Sequence, residues 1–232
     1  MSEPEHGVDP RRTVEALVDG GVLVEASGEF GVSAEFLDAV EQTRADVSDL
    51  DAEAVGEVIA TTVDDSDRQA RLTDVGTDDR EFLARYLALS ETLPSSSVET
   101  RIRTVPLLDQ FQDDPPRSDG APDGFLPVRG DRLGTLTRLF PRSVVYVWLD
   151  DCDPCETLRE TFEEMGDARL AGLGLFAVYG PDHARYLHDR YDVDGGPITL
   201  FMRRDEVDSR LYGAKPHRVY EREIGRLRDS TP

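Results

Sequence analysis

The stretch VVYVWLDDCDPC at residues 144–155 decides the fold of the C-terminal half of this chain. Residues 144–149 are all apolar or aromatic, three of them valine, which is the composition of a strand buried on both faces. Two aspartates then lead into a C-x-x-C, Cys152 to Cys155. Pro154 suits the first turn of a helix, where a missing N–H leaves no bond unmade. A helix is therefore predicted over 153–166. Its N-terminal N–H groups and dipole stabilise a thiolate, and two intervening residues bring the second sulfur round toward the first. Half of a zinc site has the same spacing, so the motif alone leaves a redox dithiol and a metal-ligand pair both open.

Working outward, the C-terminal half alternates helical and strand patterns. Helices are expected near 131–139, 182–190 and 216–228, and strands near 143–149, 172–179, 198–203 and 207–212. Only Arg204, Asp205 and Glu206 separate the last two strands, so they should pair antiparallel. The two earlier strands are joined through a helix and should be parallel. The result is an α/β domain with a mixed sheet flanked by helices.

Two motifs in this order resemble the thioredoxin superfamily. The first is the strand, Trp148 four residues before Cys152, and then Cys152, Pro154 and Cys155. The second is YDVDGGPITLF at 191–201, where Pro197 matches the family's cis-proline ahead of an antiparallel strand, followed by Gly213 before the last helix. The resemblance covers roughly 125–228 and implies thiol–disulfide exchange on protein disulfides. Cys152 would attack and Cys155 resolve, with Gly196 beside Pro197 offering backbone to an extended substrate segment. It implies no cofactor, and an electron donor as second partner. The chain departs from the family around the dithiol: Asp151 stands where the family usually has Trp, Asp153 where it has Gly, and Glu156 where it has a basic residue. Tyr146 and Val178 occupy the positions of its buried aspartate and lysine. The expectation is a divergent member with an acidic rim in which Pro154, Asp151, Asp153 and Trp148 modulate the site. Two other roles fit the same fold: a redox-slow adaptor, or a regulator in which the dithiol controls the N-terminal half.

Upstream, residues 113–124 carry prolines, glycines and charges with almost nothing to bury, and read as an extended, solvated linker. This divides the chain into an accessory domain over 1–112 and a thioredoxin-like domain over 125–232. The first reads as mainly helical, with helices near 10–19, 34–46, 51–63 and 78–92, the last capped by Thr77. A small hairpin is expected over 21–32, turning at Ser27-Gly28. Helix plus hairpin loosely resembles a winged helix, but charge argues against nucleic acid. There are 10 basic against 29 acidic residues in 1–124, and 16 against 19 in 125–232, so phosphate would be repelled.

The whole chain has net charge −22 over 232 residues, with Lys215 its one lysine. That balance resembles proteins of salt-in halophiles, whose acidic surfaces stay hydrated in concentrated salt. The 38% hydrophobic content is too high for a wholly disordered acidic chain. The acidic opening MSEPEHGVDP is not a secretory leader, and the longest apolar run, residues 144–149, is far short of the roughly 20 residues that span a bilayer. A cytoplasmic protein without membrane contact is expected. Two cysteines in one motif do not make a disulfide framework, and His6, His183, His188 and His217 have no spacing that completes a metal site.

Overall fold

A computed structural model describes residues 10–229 apart from 27 and 113. The chain forms two compact units, Met1–Pro115 and Pro116–Pro232.

The first unit is mainly helical. Helix α1 (Pro10–Asp19) leads into a hairpin of β1 (Leu23–Ala26) and β2 (Glu29–Val32), paired antiparallel with Ala26 opposite Glu29. Gly28 takes the positive φ of 85° that the tight turn needs. Ser27, the other turn residue expected there, lies outside the described residues, as does His6. Then follow α2 (Ala34–Val47), α3 (Ala52–Ala60), α4 (Ser66–Asp78), α5 (Arg80–Thr92) and α6 (Val98–Leu107). Each of these five begins with a polar cap, Ser33, Asp51, Asp65, Asp79 or Ser97, whose side chain accepts from the N–H three residues on. Part of the acid load therefore works as helix caps. The core of the unit gathers on α5, where Phe82, Leu83, Tyr86, Leu87 and Leu89 are buried. The expected cap of that helix needs correction. Asp79 receives the Phe82 N–H at 2.9 Å, while the Thr77 hydroxyl donates to the Thr73 carbonyl inside α4.

The second unit holds a five-stranded mixed sheet flanked by helices, the α/β arrangement that the alternating sequence pattern predicts. Its elements are β3 (Leu126–Pro127), α7 (Leu133–Leu139), β4 (Arg142–Trp148), α8 (Asp153–Met165), α9 (Asp167–Leu170), β5 (Gly174–Tyr179), α10 (Ala184–Tyr191), β6 (Ile198–Arg203), β7 (Glu206–Tyr212) and α11 (His217–Asp229). The strand order is β3-β5-β4-β6-β7. The first three run parallel, and β6 and β7 are antiparallel to their neighbours. Central β4 is buried from Ser143 to Trp148, which is why its sequence is continuously apolar. Over one face of it pack Leu158, Phe162 and Met165 of α8 with Tyr220, Ile224 and Leu227 of α11. This core fixes α8, and with it the cysteines, at the C-terminal end of β4.

The expected linker over 113–124 also needs correction. From residue 116 onward the stretch belongs to the second unit: Ala121 packs on its core and Phe125 is buried in it. Gly120 makes this possible, because a Cβ there would lie 2.4 Å from Cε3 of Trp148. A composition that looks unable to bury anything instead lets the backbone itself lie on an aromatic ring.

Candidate redox site

The chain leaves β4 at Trp148, turns through residues 149–151, and enters α8 with Cys152 as its N-cap. Asp151 makes the turn with φ of 50°, a left-handed conformation that aspartate tolerates better than most side-chain-bearing residues. The Cys152 Sγ accepts from the Cys155 N–H at 3.2 Å, and the Cys152 carbonyl accepts from the N–H groups of Cys155 and Glu156. Pro154 occupies the first turn of α8, where helix donors are unpaired in any case. The two sulfurs are bonded at 2.09 Å, with Cα atoms 5.2 Å apart, inside the range a disulfide requires. Cys152 is half-buried, whereas Cys155 is only 5% exposed and belongs to the core. Cys152 is thus the more exposed residue of the pair.

The register of the sheet brings a second loop to the same end. Val147 pairs with Ile198, so Gly196 and Pro197 run on beside residues 148 and 149. The Gly196–Pro197 bond is cis, and Pro197 is buried. A Cβ on Gly196 would lie 3.1 Å from Cγ of Leu149 and 3.2 Å from the Val147 carbonyl oxygen, which explains glycine there. Beside Leu149 opens a recess of about 350 Å³, lined by Val147, Pro181, Leu187, Val193 and Gly195 among others.

The acidic rim divides into held and unheld charges. Asp150 accepts two bonds from the Arg117 guanidinium, at 2.8 and 2.9 Å, and another from the Tyr179 hydroxyl. Arg117 first, then Tyr179, holds the Asp150 carboxyl below the usual range. Glu156 is engaged by Arg159 at 2.7 Å. Asp151 and Asp153 are exposed and have no ion-pair partner among the described residues. Reading the sequence does not bring Arg117 or Tyr179 to the site. The available signal is that Arg117 is the one cation between Arg103 and Arg129.

Tyr146, which the thioredoxin resemblance aligns with a buried aspartate, is fully buried and donates its hydroxyl to the Cys155 carbonyl at 2.9 Å. Burial pushes that hydroxyl well above the ordinary tyrosine range, so it holds its proton near neutrality. Its partner position is filled by buried Val178. Through the bond to Cys155, Tyr146 anchors the first turn of α8 to the sheet. Trp148 is 3% exposed, with its ring 4.8 Å from that of Tyr179.

Among the described residues, no group of three or more His, Cys, Asp and Glu side chains is placed to hold a metal ion. Nor is any described helix long and apolar enough to cross a membrane.

The two unheld aspartates carry a prediction. Like charge disfavours a thiolate, so in reduced protein Asp151 and Asp153 oppose the helix N-terminus at Cys152. Asp151→Asn with Asp153→Asn is expected to speed iodoacetamide labelling of Cys152 by about 3-fold in dilute buffer at pH 7. Added salt should speed the parent and leave the variant nearly unchanged, because exposed carboxylates are screened more than N–H groups at hydrogen-bond range. Identical salt curves for the two proteins would make the rim plain surface.

No protein-family model matches the chain, and no curated protein does either. Among solved structures, it is similar to a point-mutant thioredoxin from Halobacterium salinarum at 18% identity and TM-score 0.35, covering 40% of this chain and 80% of that one. It is similar to thioredoxin f2 of Chlamydomonas reinhardtii at 14% identity and TM-score 0.39, covering 45% and 96%. A redox protein from Chlamydomonas reinhardtii aligns at 14% identity and TM-score 0.41, covering 94% and 71%.

Proposed function

We propose that this chain is a thiol–disulfide oxidoreductase acting on protein disulfides through Cys152 and Cys155. The supporting observation is the pair of bonded sulfurs at the start of α8, the outer half-buried and the inner buried. In the reduced form the Cys152 thiolate attacks one sulfur of a target disulfide. That bond breaks, a mixed disulfide forms, and the departing target thiolate takes a proton from solvent. Cys155, deprotonated, then attacks Cys152 Sγ and expels the second target thiolate, which is protonated in turn. Two electrons have passed to the target, and an external dithiol donor must restore the pair. The Gly196 backbone beside Pro197 is available to an extended target segment, with the recess beside Leu149 to take an apolar side chain. A cytoplasmic setting, where thiols are kept reduced, suits this direction of transfer.

Tyr146 favours a second reading, an adaptor with slow exchange, because a buried tyrosine that keeps its proton, and not a carboxylate, lies against the Cys155 backbone. Insulin-disulfide reduction separates the two. With dithiothreitol as donor, the oxidoreductase is expected to precipitate insulin chains well ahead of dithiothreitol alone, whereas a time course matching dithiothreitol alone would leave the adaptor.

A further inference from the structure

The turn that presents Cys152 has little regular structure to hold it. Strand β4 ends at Trp148, α8 begins at Asp153, and between them Asp151 sits at φ of 50°. What grips this turn is the segment ahead of β3. Arg117 lies over two rings, with its guanidinium carbon 4.1 Å from the Tyr179 centroid and 5.3 Å from that of Trp148. From there it binds both oxygens of Asp150, while Asp119 takes another of its N–H groups. Tyr179 completes the clamp by donating to the same carboxylate. Three residues past Arg117, Gly120 seats the backbone on Trp148, and Ala121 packs on the core that Cys152 also touches. An isolated exposed ion pair would add little. Here a two-pronged guanidinium–carboxylate contact and a tyrosine hydroxyl converge on Asp150, two positions before the reactive cysteine, and the same guanidinium is held over two rings.

We propose that Arg117 is a positioning residue for the dithiol, acting through Asp150 to hold the turn from which Cys152 reaches the N-terminus of α8. This rests on the redox reading of the pair. A turn that stays put keeps Sγ over the Cys155 N–H and hence keeps the thiolate stabilised. With the clamp cut, the sulfur samples positions away from those donors and loses reactivity.

Charge alone and positioning make opposite forecasts for Asp150. Asp150→Asn removes a negative charge near the thiol, which by itself would speed labelling, whereas loss of the clamp would slow it. The experiment uses the full chain in a Cys155→Ser background, so that only Cys152 reacts with iodoacetamide. Arg117→Met and Asp150→Asn are each expected to slow labelling by about 3- to 10-fold, and together by no more than either alone, because they cut the same contact. Arg117→Lys keeps the charge but can neither bind both oxygens nor lie on the rings, and should be as slow as Arg117→Met. Trp148 is the chain's one tryptophan, and its buried Nε1 has no hydrogen-bond partner among the described residues. Its emission should therefore shift to the red in Arg117→Met as water reaches the ring, while circular dichroism stays that of folded protein. Faster labelling in Asp150→Asn, losses that multiply in the double variant, or a parent-like rate in Arg117→Lys would each overturn the proposal. Labelling needs no target protein, so a failed insulin assay would leave this result readable.

Discussion

A chain carrying Cys155→Ser is expected to stall exchange halfway and to accumulate as a covalent adduct with its target. The adduct should run as a heavier band on a non-reducing gel and be released by dithiothreitol. The expectation rests on the unequal burial of the two cysteines: under the proposed function half-buried Cys152 makes the attack on a target, and release falls to core-facing Cys155. Serine at 155 removes the second blow and leaves the first intact. Cys152→Ser should yield no adduct and lower insulin reduction by at least about 10³-fold, as expected when a nucleophile is removed. Adducts forming through Cys155 in the Cys152→Ser chain would reverse the two roles. Mass spectrometry of the adducts would at the same time identify the targets.

Phe162→Ala should destabilise the second unit by about 3–5 kcal/mol, the usual cost of emptying an aromatic site in a core. Phe162 is 1% exposed, and its ring lies 4.8 Å from Phe125, 5.3 Å from Tyr220 and 5.9 Å from Tyr146. It therefore joins α8, α11, β4 and the residue leading into β3. With Cys155, Leu158 and Met165 it forms the stripe by which α8 holds to the sheet. A chain of two units need not unfold in one step, so the signal should be local. Trp148 emission in urea reports on the second unit, and a loss below about 1 kcal/mol would mean that this site repacks without a cavity. Since α8 carries the dithiol at its first turn, disulfide exchange should weaken at urea concentrations that leave the parent active.

The features legible in the sequence are those whose signal is local and strong. The unbroken apolar run of β4 has no soluble alternative but burial, and Pro154 behind Cys152 has few conformations open to it. The strand pair at 198–212 is tied by so short a connection that antiparallel pairing is the one geometry available. Helices α4 and α6 escape a reading by pattern because their apolar content is thin. Buried positions on α4 come down to Leu72, Val75 and Gly76, and α6 contains Pro106, which reads as a helix breaker though it lies at the last turn. Thr77 and Asp79 are both competent caps two residues apart, and Asp79 serves because α4 runs on to Asp78 and takes the Thr77 hydroxyl into its own last turn. At the site, the cysteines, the proline and the acidic rim are all visible in the sequence. What stays invisible is which acids are held, because Arg117 and Asp150 are 33 residues apart and meet only once the sheet has formed.

The seating of Gly120 under Trp148 also bears on how the chain can be dissected. A truncation at residue 125, where the apolar pattern begins, would strip away residues 116–124 and bare an indole face and the Tyr179 ring to solvent. Such a fragment would present a sticky aromatic patch beside its cysteines and would misreport both solubility and thiol chemistry. The smallest piece that keeps the redox end closed starts at Pro116.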